Sequence, residues 1–243
     1  MDKITYLFDV DGTLTKPIQK MEAGFTVSFL SWMNDKTVFL AAGSNIEKIQ
    51  RQLPSSVLSR LDGIFCCMGN EFWQKNKLIY QNEFNVPFRL KEMLTSFQMY
   101  TSFPVKAKKG GRGNIFEHRA GMLNFTTIGR NADTEERNKY CKWDEKYGER
   151  KSIALEIEDQ FPELEARLGG QISIDIQPKG NNKSQASQWV RENIGGEIIF
   201  VGDKCLKGGN DYDIVFDLIR NQDGLFFQVD SPDETEGLLK DLK

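Results

Sequence analysis

The sequence predicts an α/β protein, a doubly wound core interrupted by a separate α+β domain. Three observations predict it. Short apolar segments alternate with helical stretches at both ends of the chain, which is the pattern of a parallel sheet covered by helices. The pattern breaks after about Asn82 and returns at Lys183. Between them, Ile172-Ser173-Ile174-Asp175-Ile176-Gln177 alternates strictly, as a strand with one wet face does.

Taken in order, Ile4–Val10 is an apolar strand that stops at Asp11-Gly12-Thr13. A helix over Ala23–Met33, a strand over Thr37–Ala42, a helix over Glu47–Leu53 and a third strand over Asp62–Met68 follow. The middle of the chain predicts a helix at Phe88–Tyr100, a hairpin of Asn114–Arg119 and Met122–Ile128 around Ala120-Gly121, and two charged helices in Thr134–Gln160 broken near Gly148. Ser173 and Asp175 project from one polar face. The first pattern then resumes with a helix (Ser184–Glu192), a strand (Glu197–Val201), a helix (Asp213–Arg220), a strand (Leu225–Val229) and a last helix (Asp233–Leu242). Residues 1–82 and 183–243 therefore form a discontinuous Rossmann-like core, and 83–182 an insertion of about 100 residues, a normal domain size.

Composition narrows the function. With 32 basic and 35 acidic residues and a net charge of −3, no nucleic acid is expected as a partner held by bulk charge. No apolar run approaches bilayer length and the start lacks a signal-peptide order, so no membrane association is expected and a cytoplasmic location is. Cys66, Cys67, Cys141 and Cys205 form no CxxC pair and read as reduced thiols. The one histidine, His118, all but excludes His-based catalysis and reads as structural. Lys108-Lys109-Gly110-Gly111-Arg112 reads as a solvated loop rather than a phosphate loop.

Ligands of open α/β sheets bind beyond the carboxyl ends of the strands, and four such places carry polar chemistry: Asp9-Val10-Asp11-Gly12-Thr13-Leu14-Thr15, Ser44, Asp203 and Lys183. Of two carboxylates two residues apart, one can attack phosphorus and bind a metal while the other moves a proton. Gly12 allows a sharp turn. Carboxylates from two strands suit the oxygen ligation of Mg²⁺, and Lys183 can neutralise the nucleophile and developing phosphoryl charge.

The DxDGT string resembles the opening signature of the haloacid dehalogenase superfamily, and the place of the insertion resembles its larger α/β cap class. Gly113–Asn124, Ile128-Gly129-Arg130, Glu135-Glu136-Arg137, Gly169–Asp175, Gly202-Asp203-Lys204 and Gly208-Gly209-Asn210-Asp211 together look like the eukaryotic-type α-phosphomannomutases over nearly the whole chain. The resemblance implies that Asp9 is nucleophile and metal ligand, and that Asp11 is general acid/base and lends its backbone carbonyl to the metal. Asp203 completes the Mg²⁺ site, and Val215 and Asp217 mark a second cation. Arg119, Arg130 and Arg137 grip the distal phosphate of the sugar, Ser173 and Asp175 bind sugar hydroxyls or phosphate, and Ser44 and Lys183 contact substrate.

The reaction implied interconverts mannose 6-phosphate and mannose 1-phosphate for GDP-mannose synthesis. A hexose 1,6-bisphosphate, of mannose or glucose, is the phosphoryl donor, a sugar monophosphate the substrate, and a homodimer through the cap the assembly. Two departures stand out. Ile18 occupies a position where the family usually has Arg, and Pro178–Ser184 reads more like cap-bearing sugar phosphatases. A sugar-phosphate phosphatase is thus the alternative enzyme, and a non-catalytic sugar-phosphate-binding protein the alternative of another class. The intact Asp9/Asp11 pair counts against the last.

Overall fold

The computed structural model describes residues 3–104 and 113–242; the Lys108–Arg112 string lies outside them. Within the described residues the chain forms two compact units, Met1–Asn82 with Gly180–Lys243, and Glu83–Lys179.

The first unit is built on a seven-stranded sheet. Its strands are β1 (Ile4–Phe8), β2 (Thr37–Ala41), β3 (Gly63–Cys66), β4 (Glu71–Gln74), β5 (Lys77–Gln81), β10 (Glu197–Gly202) and β11 (Gly224–Gln228), in the order β11-β10-β1-β2-β3-β4-β5. The five strands from β11 to β3 are parallel. The inner four, β10, β1, β2 and β3, are buried on both faces and read as apolar runs such as Tyr6-Leu7-Phe8 and Val38-Phe39-Leu40, while the edge strand β11 leaves Leu225 and Phe226 exposed. Helix α1 (Ala23–Trp32) covers one face, with Phe29 edge-on to Phe8 and Trp32 edge-on to Tyr6. On the other face, α7 (Gln185–Asn193) and α8 (Tyr212–Asn221) bring Ala186, Val190, Ile214 and Leu218 against Leu7, Phe39 and Phe200.

Three features of this unit differ from the sequence expectation. The third strand ends at Cys66 rather than Met68, because Cys67, Met68 and Gly69 take left-handed backbone at φ 49°, 62° and 86° and turn the chain. The hairpin β4–β5, absent from the sequence reading, then adds two antiparallel strands at the sheet edge. Its turn residues Lys75 and Asn76 both have positive φ, the backbone that a tight two-residue hairpin demands. The last helix, α9 (Pro232–Leu238), is also shorter than expected.

The second unit has a four-stranded antiparallel sheet of β6 (Phe116–Arg119), β7 (Met122–Phe125), β8 (Leu164–Gly169) and β9 (Ser173–Pro178), ordered β6-β7-β9-β8. Strand β8 escaped the sequence reading although Leu164-Glu165-Ala166-Arg167-Leu168 alternates as β9 does, because Leu, Glu, Ala and Arg are all strong helix formers. Helices α4 (Phe88–Tyr100) and α6 (Glu149–Gln160) pack Leu90, Leu94, Ile153 and Ile157 on Leu123, Phe125, Ile174 and Ile176. Alternation turns the intervening residues to the other face. The register aligns Glu117 with Asn124, Asn124 with Asp175, and Asp175 with Arg167, a polar row across all four strands. Helix α5 (Thr134–Tyr147) starts with a full capping box between Asp133 and Glu136 and ends at Gly148 in left-handed backbone. No helix of the described residues is long and apolar enough to cross a membrane.

Candidate active site

Parallel register places the carboxyl ends of β1, β2 and β10 side by side. Phe8 pairs with Val201 and with Leu40, and the Asp9 amide donates to the Val201 carbonyl at 2.9 Å. Asp9, Ser44 and Asp203 therefore leave one edge of the sheet.

Asp9 is buried, and its Oδ1 accepts from Lys183 Nζ at 2.5 Å. Lys183 is wholly buried and also pairs with Asp211, itself buried at the N-terminal end of α8. Asp9, Asp203 and Asp211 bring carboxylate oxygens within 4.8 Å of one another. Buried Lys183 and the more exposed Lys204 thus face three acids. Burial, then the charges of Asp211 and Asp203, push the Asp9 carboxyl up to about 7 against the opposing pull of Lys183. Burial works against charge on Lys183 as well, but Asp211 and Asp9 outweigh it and hold the ammonium above its ordinary range. Burial likewise raises Asp203, whose Oδ2 is 2.8 Å from Lys204 Nζ.

The donor set fits a hard divalent cation. The cluster is all oxygen, and the buried Asp203 Oδ1, Thr13 Oγ1 and Asn210 Oδ1 have no hydrogen-bond partner. Orphaned buried oxygens are costly unless something satisfies them, and carboxylates without His or Cys suit Mg²⁺. Gly12 keeps the cluster open. Its φ is +97°, and an added Cβ would lie 2.4 Å from Asp203 Oδ2.

Asp11 points into a different set of partners. Its Oδ2 accepts from Lys48 Nζ at 2.5 Å and Ser44 Oγ at 3.2 Å, and its Oδ1 from Gln52 Nε2 at 2.8 Å and the Ile18 amide at 3.1 Å. Burial opposes ionisation of Asp11, but the hydrogen bonds from Lys48, Gln52 and Ile18 prevail and hold it below the ordinary carboxylate range. Lys48 and Gln52 both lie on α2 (Ile46–Gln52), one turn apart, so that helix presents both donors to Asp11.

On the inserted unit the structure brings Arg119, Arg130 and Asp175 together and adds Glu117 and Asn124. Arg119 donates to Glu117 through Nε at 3.1 Å and Nη2 at 3.0 Å, and lies 3.8 Å from Asp175. Arg130 Nη1 is 2.5 Å from Glu117, and its Nη2 reaches Asn124. Asn124 donates to Asp175 at 2.5 Å. Burial raises Asp175 against the pull of Arg119 and Asn124. Arg137, on the first turn of α5, donates to the carbonyls of Ala132 and Arg130, bracing the loop that carries Arg130. Ser173 lies on the polar face of β9 with Asp175, and His118 is exposed on β6.

Among the described residues, Val215 and Asp217 join no acidic cluster. Val215 is buried in the apolar core under α8, while Asp217 accepts from Ser187 at 2.6 Å, Arg191 at 2.7 Å and Asn221 at 3.1 Å. The Asp217 carboxylate thus serves three donors of its own unit. The sequence reading also passed over Asp211, Lys48 and Gln52. Asp211 stood in the quoted Gly-Gly-Asn-Asp string, whereas Lys48 and Gln52 look like ordinary polar helix residues.

Residues 27–243 match the family model described as eukaryotic phosphomannomutase. The chain belongs to the eukaryotic phosphomannomutase family. It is 34% identical over 247 residues to a phosphomannomutase of Dendrobium officinale, covering 97% of this chain and 92% of the relative. It is 32% identical over 241 residues to one from Saccharomyces cerevisiae, with the same two coverages. Among solved structures, a haloacid dehalogenase-like hydrolase from Bacteroides thetaiotaomicron matches at a TM-score of 0.62 and 11% identity, over 100% of both chains. At that identity the likeness speaks for the fold alone. The family match makes the chain an enzyme of this type.

Proposed function

We propose that this enzyme interconverts mannose 6-phosphate and mannose 1-phosphate through a phosphorylated Asp9. The observation that carries the reading is the separation of two carboxylates two residues apart. Asp9 is buried against Lys183 in an acidic cluster, while Asp11 is held as a carboxylate by Lys48, Gln52 and Ser44. That division suits a nucleophile and a proton carrier.

Once a hexose 1,6-bisphosphate has phosphorylated Asp9, a hydroxyl of the sugar monophosphate attacks the phosphoaspartate, the bond from phosphorus to Asp9 breaks, and the hydroxyl proton passes to the Asp11 carboxylate. After the bisphosphate so formed turns round, an Asp9 oxygen attacks its other phosphorus, the bond from that phosphorus to the sugar oxygen breaks, and the sugar oxygen takes the proton back from Asp11, which returns as a carboxylate beside phosphorylated Asp9. Lys183 offsets charge on Asp9 throughout. Bound by Asp9, Asp203 and Asp211, Mg²⁺ would supply neutralisation of phosphoryl charge and keep these acids ionised.

Arg119 and Arg130 grip the phosphate that is not transferred, through the bidentate geometry guanidinium offers. Asp175 and Ser173 take sugar hydroxyls, and Ser44 orients Asp11 toward the substrate. The mannose 1-phosphate formed would feed GDP-mannose synthesis in the cytoplasm. A homodimer through the inserted domain is supported by its exposed Phe88, Tyr100, Tyr147 and Leu155.

One observation favours a second reading, a sugar-phosphate phosphatase in which water resolves the same intermediate. Ile18, 81% exposed, stands where the family usually has a cationic Arg, which removes a charge that could retain a bisphosphate. The deciding experiment supplies mannose 1-phosphate and catalytic bisphosphate and follows both isomer formation and phosphate release. The mutase reading expects isomer in large excess over released phosphate. Phosphate release without isomer would replace it by the phosphatase.

A further inference from the structure

Two guanidinium groups close together call for an anion, and here the chain supplies one. Glu117 accepts both donors of one edge of Arg119, at 3.1 and 3.0 Å, and lies 2.5 Å from Arg130 Nη1. Glu117 and Arg119 are two residues apart on β6 and so share a face. Burial acts against charge on Glu117, but the two arginines prevail and hold it ionised, below the ordinary range. The pair is nevertheless not saturated, because Arg130 Nε is buried without a hydrogen-bond partner.

We propose that Glu117 is an internal competitor for the phosphate bound by Arg119 and Arg130, setting that grip weak enough for release and recapture. The proposal rests on the reading that these arginines hold the phosphate not being transferred. A phosphate approaching the same N–H groups meets a carboxylate already on them. A sugar phosphate is close to a dianion at neutral pH and Glu117 a monoanion, so exchange favours the ligand. The tethered carboxylate still weakens the net affinity and shortens the stay. A mutase needs that property. Its bisphosphate must leave the arginines by one phosphate and return by the other, and binding that is equally tight in every state does not help turnover.

The test replaces the charge and keeps the shape, as Glu117→Gln in the full chain. Calorimetric titration with mannose 6-phosphate, and separately with inorganic phosphate, should show tighter binding by about tenfold, the scale of losing one like-charge neighbour a few ångströms away. Steady-state isomerisation should show KM and kcat falling together, because release slows. Glu117→Asp, whose carboxylate is drawn back by one methylene, should fall between wild type and Glu117→Gln. If Glu117 instead only holds the arginines in place, both variants bind more weakly and KM rises, which overturns the proposal, as does unchanged affinity. Arg119→Ala and Arg130→Ala run alongside separate the two levels. If neither weakens mannose 6-phosphate binding, the arginine grip itself is wrong. If both weaken it while Glu117→Gln fails to tighten it, the role of Glu117 alone is wrong.

Discussion

Replacing Lys183 by Met removes the one cation buried among Asp9 and Asp211 and tests how the core site is held together. Lys183 is wholly buried, Asp211 wholly and Asp9 nearly so. Removing one partner of a buried ion pair typically costs about 3–5 kcal/mol, because an uncompensated charge remains. For a chain of this size about 1 kcal/mol moves the midpoint by roughly 2–4 °C, giving a fall on the order of 6–20 °C. The loss must depend on pH. In the metal-free protein the Asp9 carboxyl is raised to about 7, far above its value in an unfolded chain. A group raised in the fold favours folding while protonated, and that support is lost as pH rises through about 7. Without Lys183 the acids are pushed up further, so the deficit should be larger at pH 8 than at pH 6. Thermal melts followed by circular dichroism in chelator-treated buffer, for wild type and Lys183→Met at both pH values, make the comparison. A variant as stable as wild type at pH 8, or one hurt more at pH 6, would refute this electrostatic account.

Three further outcomes follow from the same geometry. Mg²⁺ added to chelated protein at a hundred times its Kd should stabilise it by about 2.7 kcal/mol, read as a higher midpoint, and chelation should stop turnover; full activity in chelator would exclude the acidic cluster as a working metal site. Gly12→Ala should cost at least about tenfold in kcat, since its Cβ would lie 2.4 Å from Asp203 Oδ2 at φ +97°, and wild-type kinetics would show that this turn does not bound the site. Arg130→Ala should cut isomerisation about tenfold to a hundredfold, the scale of one lost charge-assisted contact, while loading of Asp9 from acetyl phosphate suffers far less; equal losses in both would mean that Arg130 supports the fold instead.

Much of the architecture was legible because parallel strands buried on both faces write themselves as apolar runs. The run from Ile4 to Phe8 and that from Glu197 to Val201 left no ambiguity, and Asp9 and Asp203 followed as the polar residues where those runs stop. The break at Gly148 was equally plain, since only left-handed backbone joins α5 to α6 there. The β4–β5 hairpin was not legible. Its strands are short and half polar, and the Lys75-Asn76 turn lacks the glycine that marks such turns. At the site, the sequence order separates residues that the sheet unites. Asp211 lies 28 positions from Lys183, and only folding makes them one ion pair. Lys48 and Gln52 were invisible for a simpler reason, as a lysine and a glutamine one helical turn apart are normally solvated. Asp217 shows the converse, since a carboxylate that looks available in sequence is consumed by Ser187 and Arg191 in the fold.

Covalent phosphorylation of Asp9 is the central step of the proposed reaction. Incubation with a hexose 1,6-bisphosphate and Mg²⁺, rapid acid quenching, borohydride reduction of any acyl phosphate and peptide mass spectrometry would locate the modified residue. Reductive conversion should occur at Asp9 alone, be absent from Asp9→Asn, and fall when excess mannose 6-phosphate is added before the quench to discharge the enzyme. Modification at Asp11 or Asp203 in place of Asp9, or turnover retained by Asp9→Asn, would contradict the proposed reaction.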